Sequence, residues 1–425
     1  GSGKTKVLVD RLMGYLIDSV DPANIDEFLI ITYTKAAASE LRGKIAAKLS
    51  EHIAAEPDNR HLQRQLQRLY LTKISTVHSF CSDILREYAY RLDLPADFRV
   101  ADENECRELR QNAIQTLLDQ AYETIGDNPD FRAFVDTQGL GRDDRLVPEI
   151  VQKVYDSARC HLDPQAWLDG CLESADVSEF SDASETVWGK YLMADFFTYL
   201  DQQIVAMNRC AEMVTEVPGL EKPGALLRDT VYQLRHLRDS KTWDEILNRR
   251  DIDYGRLNFP RKFDDEILKA RVKAVRDRCK KGLEKRLRSF TDPSAQILSD
   301  LSESASSVRG LCDLVRGFET EFDRLKRSRH VLDFSDLEHK TLDLLLGKSR
   351  TNPTAASVEI AKRFREILVD EYQDSNAVQD AIFDVLTRKR QNLFMVGDVK
   401  QSIYQFRLAD PGIFLEKYHA FADTE

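Results

Sequence analysis

Along the first ninety residues, apolar positions switch between two spacings. Over residues 7–20 they recur every three or four positions, with Leu8, Leu12 and Leu16 on one stripe, the pattern of a helix that buries one face. Residues 28–34, FLIITYT, form a short apolar run rich in β-branched side chains and closed by polar ones, which predicts a strand. Helical spacing returns over residues 35–53, where Leu41, Ile45 and Leu49 align. Residues 73–78, KISTVH, predict a second strand, and the helix after it carries Phe80, Ile84 and Tyr88. Strand and helix alternating in this way predict units of a parallel sheet.

From about Leu92 to about Arg329 the strand signal fades, and helical segments are separated by the breaks GDNPD, VPGLEKPG and TDPSA. From Val331 onward the alternation resumes, with strands expected at 366–371 and 392–398 and a helix between them bearing Val378, Ile382 and Val385. The expected fold class is therefore α/β. One parallel-sheet domain, in two parts at 1–91 and 330–425, is interrupted by a large, mostly helical insertion at 92–329.

Composition narrows the picture. The 425 residues, 42% apolar and 31% charged, can bury more than one core. No apolar run approaches the roughly 20 residues of a membrane span, so no membrane partner and a cytoplasmic location are expected. Seven cysteines, widely separated and without a C-x-x-C pair, signal neither a zinc site nor a disulfide framework. The net charge of −11 argues against a surface coated for nucleic acid. Residues 259–290 depart from it, with twelve Lys or Arg against five acids on a helix whose Leu268, Val272, Val275, Cys279, Leu283 and Leu287 form its apolar face. A solvated face and a DNA-facing track are equally compatible with that pattern.

Three stretches carry nucleotide chemistry. GSGKT, Gly1 to Thr5, matches the second half of a phosphate-binding loop, whose backbone N–H groups surround phosphates while a lysine reaches the outer ones and a hydroxyl meets Mg²⁺. The pattern's first glycine would precede Gly1, so the chain is expected to be an internal piece of a longer protein. EILVDEYQD ends an apolar strand in acids, suiting Asp370 to the metal and Glu371 to accepting a proton from an attacking water. VGDVKQSIYQFR supplies Gln401, an amide suited to a terminal phosphate, then Tyr404, Phe406 and Arg407, which suit base stacking and a phosphate contact. Core packing of the two aromatics is the alternative.

Two further strand ends, ITYT and ISTVHSF, present Thr32, Tyr33, Thr34, Ser75, Thr76, His78 and Ser79 on what would be the ligand face of an open sheet. Such groups hold a phosphate backbone without reading sequence, or simply cap the next helix.

In this order, GSGKT, TYTKAAA, STVHSF, LDFSDLE, DEYQD and GDVKQSIYQFR resemble the UvrD-like and RecB-like DNA helicases. LDLPADFRVADENE and NLFMVGDVKQSIYQFRLADPGIFLEKY are most similar to the AddA branch, helicase–nuclease subunits of AddAB recombination-repair complexes. The resemblance implies a RecA-like ATPase that walks 3′ to 5′ along single-stranded DNA while broken DNA ends are processed, with ATP and Mg²⁺ as cofactors and an AddB-like partner protein. It implies that Gly1, Ser2, Gly3, Lys4 and Thr5 bind phosphates, with Thr5 and Asp370 on Mg²⁺. Glu371 is then the base, and Gln401 and Arg407 link nucleotide to DNA. Tyr33, Tyr404 and Phe406 then meet bases, and Thr34, Thr76 and His78 the DNA backbone. Lys35 stands where the family's second motif commonly has asparagine. An adenine-reading glutamine, a second RecA-like domain with arginine fingers and a nuclease domain, all expected of the family, lie outside these residues. The rival class is an ATP-dependent DNA-binding scaffold that does not translocate; a base at Glu371 together with a phosphate sensor at Gln401 favours the motor.

Overall fold

The computed structural model describes residues 3–95, 97–139, 145–387, 392–401 and 409–422, with the side chains of 138, 139 and 422 excepted. The chain forms two compact units: residues 1–127, 138–168 and 313–425 make one, and 128–137 with 169–312 the other. It is a mixed α/β protein, mostly helical, with one principal parallel sheet.

That sheet has four strands, β1 (Phe28–Thr32), β2 (Lys73–Thr76), β5 (Glu366–Val369) and β6 (Leu393–Met395), in the order β2-β1-β5-β6, every pair parallel. β1 and β5 occupy the centre, and every residue of both is buried. Their alternation serves two cores. Leu29, Ile31, Ile367 and Val369 face one, with the helices Val77–Glu87, Phe334–Leu346 and Ala377–Leu386. Phe28, Ile30 and Leu368 face the other, with the helices Lys4–Leu16 and Lys35–Ala55. Helices on both faces of a parallel sheet are the reason its central strands read as unbroken apolar runs.

The strands are shorter than their apolar runs suggest. β1 stops at Thr32 because Thr34 turns the chain into a helix, its hydroxyl accepting the Ala37 N–H at 3.0 Å. β2 stops at Thr76 for the same reason, its hydroxyl accepting from Ser79 N at 3.2 Å. β5 ends before Asp370 and Glu371. The first helix begins at Lys4, not residue 7, and ends at Leu16. A second, two-stranded parallel sheet, β3 (Arg99–Val100) with β4 (Val331–Leu332), was not legible at all, since two residues carry no periodicity.

The second unit contains only helices among its described residues, with a core built around Phe196, Leu200, Leu227, Trp243 and Phe290. All seven cysteines are free, and Cys81, Cys210, Cys279 and Cys312 are buried.

The first unit buries a polar cluster beside its core. Lys326 lies 3.2 Å from Asp333 and 2.6 Å from Asp336, all three buried. Nearby, His339 Nε2 is 2.8 Å from the Arg159 carbonyl, and its Nδ1 is 2.9 Å from Arg350 Nη1. Since guanidinium only donates and carbonyl only accepts, Nε2 carries the proton and Nδ1 is the acceptor. Burial first, then the charge of Arg159, lowers the His339 pKa to about 3. A histidine depressed in the folded state contributes stability that is present above the unfolded value of 6.5 and lost as pH falls toward 3. Chemical denaturation should therefore show a loss of about 2 kcal/mol between pH 7.5 and pH 5 that is missing in His339→Gln, whose amide can donate and accept in the same places.

Candidate nucleotide site and the adjoining strand ends

All four strands of the main sheet run the same way, so their carboxyl ends share one edge. β1 continues into β2 on one side, and the returning chain places β5 and β6 on the other, making the gap between β1 and β5 a switch point where open α/β sheets bind ligands. The helix Lys4–Leu16 begins at this edge. Its N-cap, Gly3, has φ of 75°, a left-handed conformation suited to glycine, and no side chain caps the first turn. Amides at such a turn favour an anion.

Residues from the two ends of the chain meet here. Lys4 Nζ forms an ion pair with Glu371 and donates to Gln401 Oε1 at 3.3 Å. Thr5 Oγ1 is 3.4 Å from Asp370 Oδ2, and the Asp370 N–H donates to the Ile31 carbonyl at 2.9 Å, fixing the acid against β1. Burial first, and the adjacent Glu371 second, push the Asp370 carboxyl above the usual aspartate range. A hydroxyl and a carboxylate, both hard oxygen donors, with an acid whose ionisation a nearby cation would favour, fit Mg²⁺.

Glu371 itself has φ 55° and ψ 42°, left-handed for a residue with a Cβ. Such backbone persists where surroundings impose it, and it clusters at functional sites. The surroundings here are specific. Gln373 Nε2 donates to Glu371 Oε2 at 2.7 Å, and Gln373 Oε1 accepts the Asp398 N–H at 2.9 Å. Asp398 in turn accepts from Gln401 Nε2 at 2.7 Å. A Cβ on Gly397 would lie 2.8 Å from Gln373 Oε1 and 3.1 Å from the Phe414 ring, so glycine keeps this bridge open. Gln373 stands inside the motif read from sequence, but its role was invisible there because its two partners are joined only by the pairing of β5 with β6.

The DNA-side candidates divide. Tyr33 is half-buried, its hydroxyl bonded to Ser375, and burial raises its pKa. Thr34 and Thr76 are the helix caps described above. His78 Nε2 is 2.9 Å from Glu338, and its ring stacks on Phe334 with centroids 4.6 Å apart and 28° between planes. Phe334 is 56% exposed, an aromatic face at the same sheet edge that sequence reasoning passed over because LDFSDLE reads equally as helix and core. Gly1, Ser2, Tyr404, Phe406 and Arg407 lie outside the described residues.

In the second unit, the basic segment forms the helix Glu266–Leu287, burying Val272, Cys279 and Leu283. Arg271, Arg278, Lys281, Lys285 and Arg288 are exposed within an arc of about 100° and extend over about 25 Å. None of the five is in an ion pair among the described residues.

The sequence comparisons agree with this geometry. Relatives named as the A subunit of an ATP-dependent helicase/nuclease align with nearly the whole chain: 38% identity over 100% of it in Geobacillus kaustophilus, 36% over 99% in Pelotomaculum thermopropionicum and 34% over 99% in Acetivibrio thermocellus. The chain spans only 34–35% of those three relatives' lengths. The resemblance drawn from the motifs holds. Residues 1–422 match the family described as UvrD/REP helicase N-terminal domain, and the chain belongs to that family.

Proposed function

We propose that this chain is the ATP-binding part of a DNA helicase that walks 3′ to 5′ on single-stranded DNA, within a helicase–nuclease complex that processes double-strand breaks. One observation carries the reading: Lys4, Thr5, Asp370, Glu371 and Gln401, from opposite ends of the sequence, converge at the switch point of a parallel sheet. On this reading 1–91 and 330–425 form one RecA-like domain and 92–329 an insertion, supported by a principal sheet drawn entirely from the two outer segments. ATP would lie with its phosphates at the amides after Gly3, beside Lys4. Mg²⁺, which screens developing negative charge, would be held by Thr5 and Asp370. Glu371 accepts the proton of the attacking water, and Gln401 senses the terminal phosphate.

Single-stranded DNA crosses the same edge, with bases meeting Tyr33, Phe334, Tyr404 and Phe406 and phosphates meeting Thr34, Thr76, His78 and Arg407. The name that the relatives carry supports an AddB-like partner and a nuclease activity elsewhere in the protein. No helix among the described residues is long and apolar enough to cross a membrane, which accords with a cytoplasmic site of action.

In the longest natural polypeptide that carries this chain, Glu371→Gln should bind a fluorescent ATP analogue as the wild type does. Its DNA-stimulated phosphate release should fall by about 10²–10⁴-fold, since glutamine cannot take the proton. Undiminished release would remove Glu371 from the role. For the basic helix, Arg278→Ala with Lys285→Ala should flatten the plot of log affinity against log salt for duplex DNA by about 2 units, one phosphate contact each. An unchanged slope identifies a solvated face.

A further inference from the structure

Glu338 is buried near the base of the helix Phe334–Leu346, at 5% exposure. Its partners are His78 at 2.9 Å, Gln379 Nε2 at 2.7 Å and Asn376 Nδ2 at 3.5 Å; among the described residues it has no Lys or Arg partner. A buried carboxylate held by amides and one imidazole is costly unless each contact is kept, so the four groups move together or not at all.

The two sides of this hub face different ligands. Toward the strand ends, the carboxylate accepts only, so it fixes which imidazole nitrogen carries a proton and the plane in which the ring lies. That ring backs the exposed Phe334. Toward the nucleotide, Asn376 and Gln379 belong to the segment that leaves Glu371. Tyr372–Asp374 form a single helical turn beginning at Glu371, Ser375 N bonds the Tyr372 carbonyl, and Asn376 caps the next helix through Gln379 N at 2.8 Å. Gln373 in that turn grips Glu371. A displacement of Glu371 therefore reaches Asn376 through five consecutive residues without a free joint.

We propose that Glu338 is a positioning residue that transmits the placement of the Glu371 segment to His78 and Phe334, so that single-stranded DNA is held differently in different nucleotide states. The proposal rests on the helicase reading above. Coupling of two ligands through one element is reciprocal and typically amounts to 5–150-fold in affinity.

The test uses the longest natural polypeptide carrying this chain and a fluorescein-labelled oligothymidylate. Its affinity is measured by anisotropy with ADP and with a non-hydrolysable ATP analogue, and DNA-stimulated phosphate release is measured in parallel. The wild type should show affinities differing by at least about fivefold between the two nucleotides. Glu338→Ala and His78→Ala should each bring the ratio to within about twofold of unity, and the double variant should go no further, because the carboxylate acts through the imidazole. Glu338→Gln keeps an acceptor oxygen for His78 and Gln379, should fold where alanine does not, and should narrow the ratio partially. A wild type whose hydrolysis ignores DNA overturns both the helicase reading and this proposal. DNA-stimulated hydrolysis with a ratio of unity in the wild type, an unaltered ratio in both Glu338 variants, or effects of Glu338→Ala and His78→Ala that multiply overturns this proposal alone.

Discussion

The pairing of β5 with β1 is the contact on which the rest depends. Ile31 opposite Val369 sets the register, and the Asp370 N–H on the Ile31 carbonyl extends it by one residue beyond the strand. A one-residue slip would turn Ile367 and Val369 away from their core and carry Asp370 away from Thr5. Burial on both faces makes such a slip expensive, since four apolar side chains of β1 and three of β5 would change environment together. The geometry of the candidate site is thus held by hydrophobic packing that touches no ligand.

Around that rigid centre the site keeps two locally unfavourable features. Glu371 holds a left-handed backbone at a cost of order 1 kcal/mol or more, and Asp370 and Glu371 place two carboxyl groups side by side. Lys4 and the Gln373 amide offset the second, and the pairing of β5 with β6 enforces the first by fixing Val369 before the turn and the Tyr372 N–H, on the Val396 carbonyl, after it. Strain placed between two anchored points cannot relax by drifting. It can be released only by a concerted shift of the residues that follow.

Much of this was legible in the chain. β1 and β5 announced themselves as apolar runs because both their faces are covered, and Lys4, Thr5, Asp370, Glu371 and Gln401 belong to patterns that combine residue type with position at a strand end or helix start. The legible part ends where function depends on partners distant in sequence. Gln373 and Glu338 lie inside segments that read as motifs, but each acts by touching residues that only the sheet order brings near. Thr34 and Thr76 show a different limit, since one hydroxyl serves equally as a helix cap and as a donor to phosphate, and its chemical type cannot separate the two. The two-residue strands β3 and β4 escaped because their pairing is decided by what surrounds them.

The wide separation of β1 from β5 also has a consequence in time. Over three hundred residues lie between the two central strands, so on a ribosome moving at about 5–20 residues per second β1 exists for roughly 15–70 s before its neighbour is made. Throughout that interval the segment FLIIT, with every side chain destined for burial, can pair only with β2, and its other edge is open to any passing strand. The nascent chain therefore has a long window of vulnerability to intermolecular pairing, which closes when the last quarter of this sequence emerges. For this architecture, synthesis rate and holdase chaperones bear on the yield of active protein as directly as the stability of the finished sheet.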